Sequence, residues 1–221
     1  MASSVRGWTP SRGDLEWIDA TAGEPDAVVL EMEAVAAAEG IPILDRASGR
    51  VLAALAVGRS RIVEVGTAIG YSTLWLARGQ GPAGRIVTID PDRSRTDRAR
   101  AYWHRGGIAD DRIEVLNAPA LDVFASDAPA LAGPFDLAFI DALKPEYGAY
   151  ATALRPRLRS GALLVADNVL WSGRTSGDRP SHPGDGTEDL RRFVIAMLGD
   201  AGFQATVLPV GDGLLIAGVR G

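Results

Sequence analysis

Short apolar runs alternate with segments of helical periodicity through the middle of the chain, and this alternation constrains the fold more than any other feature. Each run is rich in Val, Ile and Leu and ends in a polar residue or a glycine. Strands that alternate with helices in this way predict a parallel sheet with helices on both faces. The runs are RIVEV (61–65), RIVTID (85–90), RIEVL (112–116), FDLAFID (135–141) and GALLVADN (161–168), and the helical segments between them are 70–78, 92–106, 119–125 and 146–158.

The two ends of the chain depart from this alternation. Near the N-terminus the residues predict only helices, and the second of them ends at Gly40. Near the C-terminus, a helix at about 186–199 precedes two apolar runs, FQATVLPV and GLLIAGVR, that a GDG turn joins, which predicts an antiparallel pair. We therefore expect an α/β, Rossmann-like sheet of five parallel strands with a C-terminal antiparallel hairpin. The predicted N-terminal helices are 13–22, 25–39 and 47–57, in a segment 1–60 that packs on the core 61–221 or on a dimer face.

Composition excludes several classes of function. The net charge is −5, so no global basic field attracts nucleic acid or anionic lipid. The chain has no cysteine, which excludes disulfides, thiolate metal sites and a cysteine nucleophile. No apolar stretch reaches the length of a membrane span, and the N-terminus MASSVRGWTPSRGDLEW has no apolar core of signal-peptide length. A cytoplasmic protein that does not bind membranes is expected.

The first strand leads into the glycine turn of VEVGTAIGYS, at the edge where open parallel sheets bind ligands. Gly66 permits a sharp turn beside a ligand, and the hydroxyl of Ser72 and free helix amides can hold a carboxylate. Glu64 and Thr67 flank the turn. The spacing is not GxGxxG, so a dinucleotide loop is not indicated. The alternative is a generic strand-turn-helix connection without a ligand.

Later strand ends add two further candidates for a nucleoside site. Asp90 ends the second strand, where an acid commonly accepts the ribose hydroxyls of an adenosine. Its alternative role is that of N-cap for the helix that starts near Asp92. After the third strand, the small residues of NAPAL (117–121) leave room for a flat base near the backbone amide of Ala120.

Oxygen-donor side chains follow the fourth and fifth strands. Asp141 ends one strand, and Asp167 and Asn168 end the other, so a parallel sheet brings the three side chains together. Two carboxylates and an amide oxygen suit Mg²⁺ or Ca²⁺. The alternative is that these side chains cap helices or bind loop amides.

Lys144 is the only lysine in the chain, and it follows Asp141 by three residues. Arginine stays protonated in proteins, whereas a lysine near a cation can give up its proton and act as a general base. Trp171 follows the Asp-Asn pair and either walls an aromatic substrate or belongs to the core. His104 and His182 lack a second histidine at zinc-ligand spacing, which predicts surface positions.

Several of these segments occur together in one order from about residue 61 onwards. They are VEVGTAIGYSTLWLA, IVTID, FDLAFIDALKPEYGAY, GALLVADNVLWSGR and PVGDGLLIA. In this order they resemble the cation-dependent S-adenosylmethionine O-methyltransferases, the group of catechol and caffeoyl-CoA O-methyltransferases, with a class I methyltransferase sheet. The resemblance implies a cofactor site at Glu64, Gly66, Thr67, Ser72, Asp90, Ala120 and Asp141, a Mg²⁺, Ca²⁺ or Mn²⁺ site at Asp141, Asp167 and Asn168, the base at Lys144 with Asp141 beside it, and acceptor contacts from Lys144, Asn168 and Trp171.

The chain departs from this group at two positions. Leu143 stands where members often have a second acid, and Ala118 stands where the turn usually has a glycine. The segments GIPILDRASG, GTAIGYS and PVGDG resemble a bacterial branch of the group. That branch is similar to enzymes that methylate 5-hydroxyuridine at the wobble position of tRNA, and relatives are often homodimers.

Three functions remain open on the sequence. The first is methyl transfer to a hydroxyl of a catechol, a small vicinal diphenol that chelates the metal. The second is the same chemistry on a tRNA hydroxyuridine, for which two groups of arginines are the candidate contacts. The third is a nucleotide-binding protein, either NAD-dependent or catalytically silent. The arginine groups are Arg93, Arg95, Arg98 and Arg100, and Arg155, Arg157 and Arg159, whose usual interpretation is a solvated helix face. The polar segment 172–189 is a candidate lid.

Overall fold

The computed structural model describes residues 9–126 and 128–221, which contain one seven-stranded sheet. Its strand order is β3-β2-β1-β4-β5-β7-β6. Strands β1 to β5 are parallel to one another, and β7 runs antiparallel to both β5 and β6. This topology confirms the predicted α/β sheet of five parallel strands with an antiparallel hairpin. The strands are β1 (Arg61–Val65), β2 (Arg85–Ile89), β3 (Ile113–Leu116), β4 (Phe135–Ile140), β5 (Leu158–Ala166), β6 (Phe203–Leu208) and β7 (Leu214–Val219).

Helices cover both faces of the sheet, as the alternation predicts. Four helices, α2 to α5, share a hydrophobic cluster with strand residues such as Ile62, whereas α6, α7 and α8 pack in a second cluster with residues such as Val63. Successive residues of β1 thus point to opposite faces, and both faces are apolar because both are covered. The helices are α1 (Arg12–Thr21), α2 (Ala27–Glu39), α3 (Arg46–Ala56), α4 (Tyr71–Gln80), α5 (Arg93–Arg105), α6 (Ala120–Ala125), α7 (Tyr147–Leu154) and α8 (Thr187–Gly199).

Short side chains set where several helices begin. Asp26, Asp45 and Asp92 are the N-caps of α2, α3 and α5, and each accepts hydrogen bonds from amides of the first helical turn. At the other end of α2, Gly40 adopts a left-handed conformation with φ 65°, as the sequence predicts. Helix α5 therefore begins at Arg93 with Asp92 as its N-cap, and the alternative role of Asp90 as that N-cap is wrong.

Two predicted boundaries are corrected. The helix predicted over 146–158 ends at Leu154, and residues Arg155–Arg157 form a 3₁₀ turn. Strand β5 then begins at Leu158 rather than at residue 161. The register between β4 and β5 shifts between Phe135 and Leu137, so the polar residues at the start of β5 form an irregular stretch of strand.

The C-terminal hairpin closes onto the end of β5. Residues 209–213 connect β6 to β7, so the connection is longer than the GDG turn alone. The amide of Val169 donates to the carbonyl of Gly213 at 3.0 Å, and the amide of Leu170 donates to that of Asp212 at 2.9 Å. The hairpin turn thereby fixes the backbone that follows Asn168.

The N-terminal helices lie against the sheet to different extents. Helices α2 and α3 contribute Met32 and Leu52 to the core, whereas α1 has no buried residue. Residues 1–8 of the predicted 1–60 segment lie outside the described residues, and its division from the core at residue 60 stays a prediction. Among the helices that the structure describes, none is long and apolar enough to cross a membrane.

The glycine turn after β1 leads to a stability prediction. Gly66 has φ 98°, and a Cβ there would lie 1.9 Å from the carbonyl oxygen of Asp141. We expect Gly66→Ala to lower the free energy of unfolding by about 2–4 kcal/mol, because it adds backbone strain and a clash with main chain. Urea titration measures the change. Gly148→Ala in α7 is the matched control, since a Cβ there meets nothing within 4 Å; equal losses in both variants would refute the argument.

Candidate active site

Strand order reverses between β1 and β4, and the candidate residues gather at the carboxyl ends of these strands. β2 and β3 extend to one side of β1, and β5 extends to the other side of β4. The amide of Asp141 donates to the carbonyl of Val65 at 2.9 Å, which places Asp141 directly beside the Gly66 turn. The predicted cofactor turn and the predicted metal ligands therefore lie side by side at one edge of the sheet, at the position where open α/β sheets bind ligands.

Lys144 joins the ends of β4 and β5 by hydrogen bonds. Its Nζ donates to Oδ1 of Asp141 at 2.8 Å and to Oδ1 of Asn168 at 2.6 Å. The side chain is only 11% exposed. The structure thus brings the predicted base and two of the three predicted metal ligands into direct contact.

Asp167, the third predicted ligand, is buried without full compensation. Its Oδ1 has no hydrogen-bond partner, and its Oδ2 receives only a long 3.4 Å contact from Nδ2 of Asn168. Burial raises the pKa of Asp167, and the neighbouring charge of Asp141 raises it further. Asn168 itself has φ 58°, which is uncommon for a residue with a side chain and directs its amide toward Lys144. A buried carboxylate oxygen without a partner is typical of a functional site.

Tyr147 belongs to this cluster although the sequence analysis missed it. Its Oη accepts a hydrogen bond from Nζ of Lys144 at 2.7 Å and donates to the carbonyl of Asp167 at 3.2 Å. The tyrosine is fully buried, and burial raises its pKa well above the usual range. The available signal was its position three residues after Lys144, one helical turn away.

Trp171 borders the same cluster. Its ring centroid lies 5.6 Å from Nζ of Lys144, and its Nε1 donates to the carbonyl of Asp185 at 2.9 Å. The indole is half-buried and packs against the hydrophobic cluster that contains α6, α7 and α8. The segment between Trp171 and α8 is also tied to Arg191, whose side chain donates to the carbonyls of Arg174 and Thr175. Its role as a lid stays a prediction.

Asp90 organises the glycine turn from the end of β2. Its Oδ2 accepts from the amides of Thr67 and Ala68 at 3.0 and 2.8 Å, and its Oδ1 accepts from the amide of Asp92 at 2.8 Å. Asp90 therefore holds the turn in shape. A carboxylate has about four acceptor positions, so these three bonds leave capacity for a ligand hydroxyl.

Glu64 is enclosed beneath the turn and does not face open space. Its carboxylate accepts from the hydroxyls of Ser72, Thr73 and Thr88 at 2.5–2.6 Å, and its side chain is fully buried. The carboxylate that Ser72 holds in this structure is thus that of Glu64. Burial, and to a smaller extent the charge of Asp141, raises the pKa of Glu64 to about 7, although the three hydroxyls oppose the shift.

The raised pKa of Glu64 predicts a pH dependence of stability. A carboxyl whose pKa is higher in the folded chain than its unfolded value of 4.5 favours the fold when protonated, so its contribution is lost as pH rises from 4.5 to about 7. In wild type the free energy of unfolding should fall as pH rises through this range. We expect the slope of that fall to be smaller in Glu64→Gln by about 1.4 kcal/mol per pH unit. Urea titrations at several pH values measure it. The exposed Glu114 provides the control Glu114→Gln; a slope unchanged by Glu64→Gln would contradict the assignment.

The remaining candidates lie apart from the cluster. Ala120 is buried at the start of α6, and Asn117 links its turn to Asp90 by donating to the Asp90 carbonyl. His104 and His182 are exposed, as predicted. Most of the arginines proposed for tRNA have acidic partners within 4 Å. These pairs are Arg93–Asp97, Arg95–Asp92, Arg98–Glu39, Arg155–Asp200 and Arg159–Asp136.

Comparison with known proteins agrees with this geometry. The sequence profile of the O-methyltransferase family matches residues 37–219. A catechol O-methyltransferase of Mycobacterium tuberculosis is 38% identical over 94% of this chain and 90% of its own length. A catechol O-methyltransferase of Niastella koreensis is 32% identical over 89% of this chain and 91% of its own.

Solved structures extend the similarity to the whole fold. The O-methyltransferase TomG of Streptomyces achromogenes, crystallised with S-adenosylmethionine, is 31% identical and superposes with a TM-score of 0.81 over 93% of this chain and 95% of its own. An O-methyltransferase of Bacillus cereus, in complex with S-adenosylhomocysteine, is 30% identical with a TM-score of 0.80 over 93% and 96% of the two chains. These findings confirm the resemblance and the class I methyltransferase sheet. The chain belongs to the O-methyltransferase family and is an enzyme of that family.

Proposed function

We propose that this enzyme transfers the methyl group of S-adenosylmethionine to a hydroxyl of a catechol-like small molecule and depends on a divalent cation. The observation that carries the proposal is the contact of Lys144 with both Asp141 and Asn168 beside the unpaired Asp167 oxygen. A lone buried amine among hard oxygen donors is a combination that serves proton removal next to a cation.

The donor set fits a cation such as Mg²⁺, Ca²⁺ or Mn²⁺. Oδ1 of the buried Asp167 has no partner, and an unpaired carboxylate oxygen beside a second carboxylate favours positive charge. The set comprises two carboxylates and one amide, and the described residues hold no group of three His, Cys, Asp or Glu side chains arranged as metal ligands. Asp141, Asp167 and Asn168 would hold the ion. When bound, it would lower the proton affinity of the acceptor hydroxyl and orient a vicinal diol.

The chain's own residues supply the remaining chemistry. Lys144, as a neutral amine, takes the proton of the acceptor hydroxyl at Nζ, and Trp171 forms an apolar wall for the acceptor ring. The oxygen left by that proton attacks the sulfonium methyl, and the thioether leaves. Positioning the two reactants in line supplies much of the rate enhancement.

The cofactor would lie across the glycine turn, next to Asp141. Gly66 lets the backbone approach closely, Asp90 has acceptor capacity for ribose hydroxyls, and the buried start of α6 at Ala120 borders the base. The amide of Thr67 donates to Asp90 and so helps to hold that carboxylate in place. Glu64 and Ser72 bond to each other beneath the turn and support its backbone. The relatives TomG and the Bacillus cereus enzyme, crystallised with the methyl donor or its product, support this cofactor.

A small acceptor is favoured over tRNA. The arginines that would contact tRNA are largely paired with carboxylates, and the net charge is −5. Exposed Leu143, at 63%, stands beside Lys144 and suits an uncharged aromatic ring. The homodimer stays a prediction; it would bury the apolar side chains that α1 exposes, Leu15, Trp17 and Ile18.

Methyl transfer to 1,2-dihydroxybenzene tests the proposal directly. The purified enzyme is incubated with the methyl donor and Mg²⁺, and the methylated phenol is measured by mass spectrometry. We expect turnover with Mg²⁺ and its loss in excess chelator. Total tRNA is the comparison substrate. Methylation of tRNA but not of the phenol would refute the small-molecule acceptor. Methylation of the phenol at the same rate in chelator would refute the dependence on a cation.

A further inference from the structure

Tyr147 combines a buried, packed ring with two hydrogen bonds at its hydroxyl. Its ring is fully buried and meets the ring of Phe193 edge to face, with centroids 5.5 Å apart. The hydroxyl donates its only proton to the Asp167 carbonyl at 3.2 Å. The lone pairs of Oη therefore remain for Nζ of Lys144, 2.7 Å away.

The three partners of Lys144 differ in what a bound cation would do to them. An ammonium group has three N–H donors, and each has one acceptor here. Two of the acceptors, oxygens of Asp141 and Asn168, belong to the proposed cation-binding set. The third, Oη of Tyr147, does not. A cation that takes the first two acceptors leaves Tyr147 as the remaining fixed partner of the amine.

The bond with Tyr147 also orients the lone pair of the Lys144 amine. A neutral amine has two N–H bonds and one lone pair, and it removes a proton only when that lone pair points at the acceptor hydroxyl. An N–H held by Tyr147 restricts rotation about the Cε–Nζ bond. We infer that Tyr147 is the positioning residue of the general base: its hydroxyl holds Nζ of Lys144 in place and orients its lone pair toward the methyl acceptor. The inference rests on the proposed function and assigns one more residue to the same site.

Kinetics of Tyr147→Phe separate positioning from a structural role. With Mg²⁺ and 1,2-dihydroxybenzene, we expect kcat to fall about 10- to 100-fold, the cost typical of a misplaced reacting group, while KM changes less than about threefold. Tyr150→Phe is the matched control. It removes another buried tyrosine hydroxyl from α7, one that donates to Glu146 and does not contact Lys144. Its kcat should stay within about twofold of wild type.

A double-mutant cycle sharpens the test. In a Lys144→Ala background the amine is absent, so Tyr147→Phe should change the residual rate by less than about twofold. A fall of the same size in both backgrounds would show a structural effect and overturn the inference. So would a Tyr147→Phe enzyme with the kcat of wild type.

A spectroscopic readout needs no turnover. Because Lys144 is the only lysine, protein labelled with ¹³C-lysine gives one side-chain Cε signal in an NMR spectrum. In Mg²⁺-saturated wild type and Tyr150→Phe, we expect two distinct shifts for the Cε protons, as for an immobilised chain. In Mg²⁺-saturated Tyr147→Phe we expect them to merge, because an amine released from Tyr147 lets the side chain exchange between rotamers about the Cδ–Cε bond. Two distinct shifts in Tyr147→Phe would overturn the inference.

The two proposals fail in different ways. If wild type methylates no catechol, or if Lys144→Ala is as active as wild type, the proposed function fails while the NMR comparison still decides what holds the amine. If Lys144→Ala is inactive and Tyr147→Phe matches wild type in rate and spectrum, the proposed function stands and the role of Tyr147 is refuted.

Discussion

The Lys144→Arg variant is expected to lose methyl transfer by about 10²–10⁴-fold in kcat, the range in which a general base contributes. Arginine keeps the positive charge beside Asp141 and Asn168 but does not release its proton in proteins, so the site keeps its charge and loses its base. Initial rates with Mg²⁺ and 1,2-dihydroxybenzene measure the loss. Binding of S-adenosylhomocysteine, followed by calorimetry, should change little, which separates chemistry from folding.

Chemical rescue gives this prediction its control. The Lys144→Ala variant leaves space for a small amine, and ethylamine added to the buffer should restore part of the rate in proportion to its unprotonated fraction. Lys144→Arg should show no such rescue, because its side chain fills the space. More than a tenth of wild-type kcat in Lys144→Arg would mean that another group removes the proton.

The Asp167→Asn variant is expected to be more stable than wild type without divalent ions and inactive with them. Asp167 is buried with an unpaired oxygen, so its charge costs the fold about 1–3 kcal/mol at pH 8. Because the fold raises the pKa of Asp167 to about 7, this cost is absent below pH 3.8, where the carboxyl is protonated in both states, and it is full above about pH 7. The gain in unfolding free energy should therefore grow from pH 5 to pH 8. Urea titration measures it.

Addition of Mg²⁺ should make wild type more stable than Asp167→Asn. A ligand that binds only the folded chain stabilises it, so Mg²⁺ should raise the melting temperature of wild type and leave Asp167→Asn unchanged. We expect kcat of the variant to fall about 100-fold or more. Asp136→Asn is the control with opposite sign. Burial acts to raise the pKa of Asp136, but Arg159 and the amides of Arg61 and Ser60 lower it, so its removal should destabilise the fold. An equal loss of unfolding free energy in Asp167→Asn and Asp136→Asn without divalent ions would contradict the role of Asp167.

The sequence allowed the sheet to be predicted because its strands are apolar on both faces. RIVEV and FDLAFID are buried along almost their whole length, and only a doubly covered parallel sheet accounts for such runs. The start of β5 could not be predicted in the same way. Its first residues after Leu158 are exposed and polar, and they extend as strand only because β4 and β5 change register opposite them.

The sequence allowed us to predict which side chains of the candidate site lie near one another. Strand ends in a parallel sheet meet at one edge, so Asp141, Asp167 and Asn168 could be placed together. Hydrogen-bond partners depend on loop geometry, which the residue order does not reveal. For that reason the engagement of Glu64 with three hydroxyls and the contact of Tyr147 with Lys144 emerged only from the structure.

The bonds from Val169 and Leu170 to the turn before β7 have a consequence for biosynthesis. A ribosome delivers Asp141, Lys144 and Asn168 dozens of residues before that turn emerges from the exit tunnel. Until then, the left-handed backbone at Asn168 lacks the carbonyls that anchor the residues after it. A nascent chain therefore carries the side chains of the proposed site before the backbone after Asn168 is anchored, and the proposed site is complete only when β7 pairs with β5 and β6.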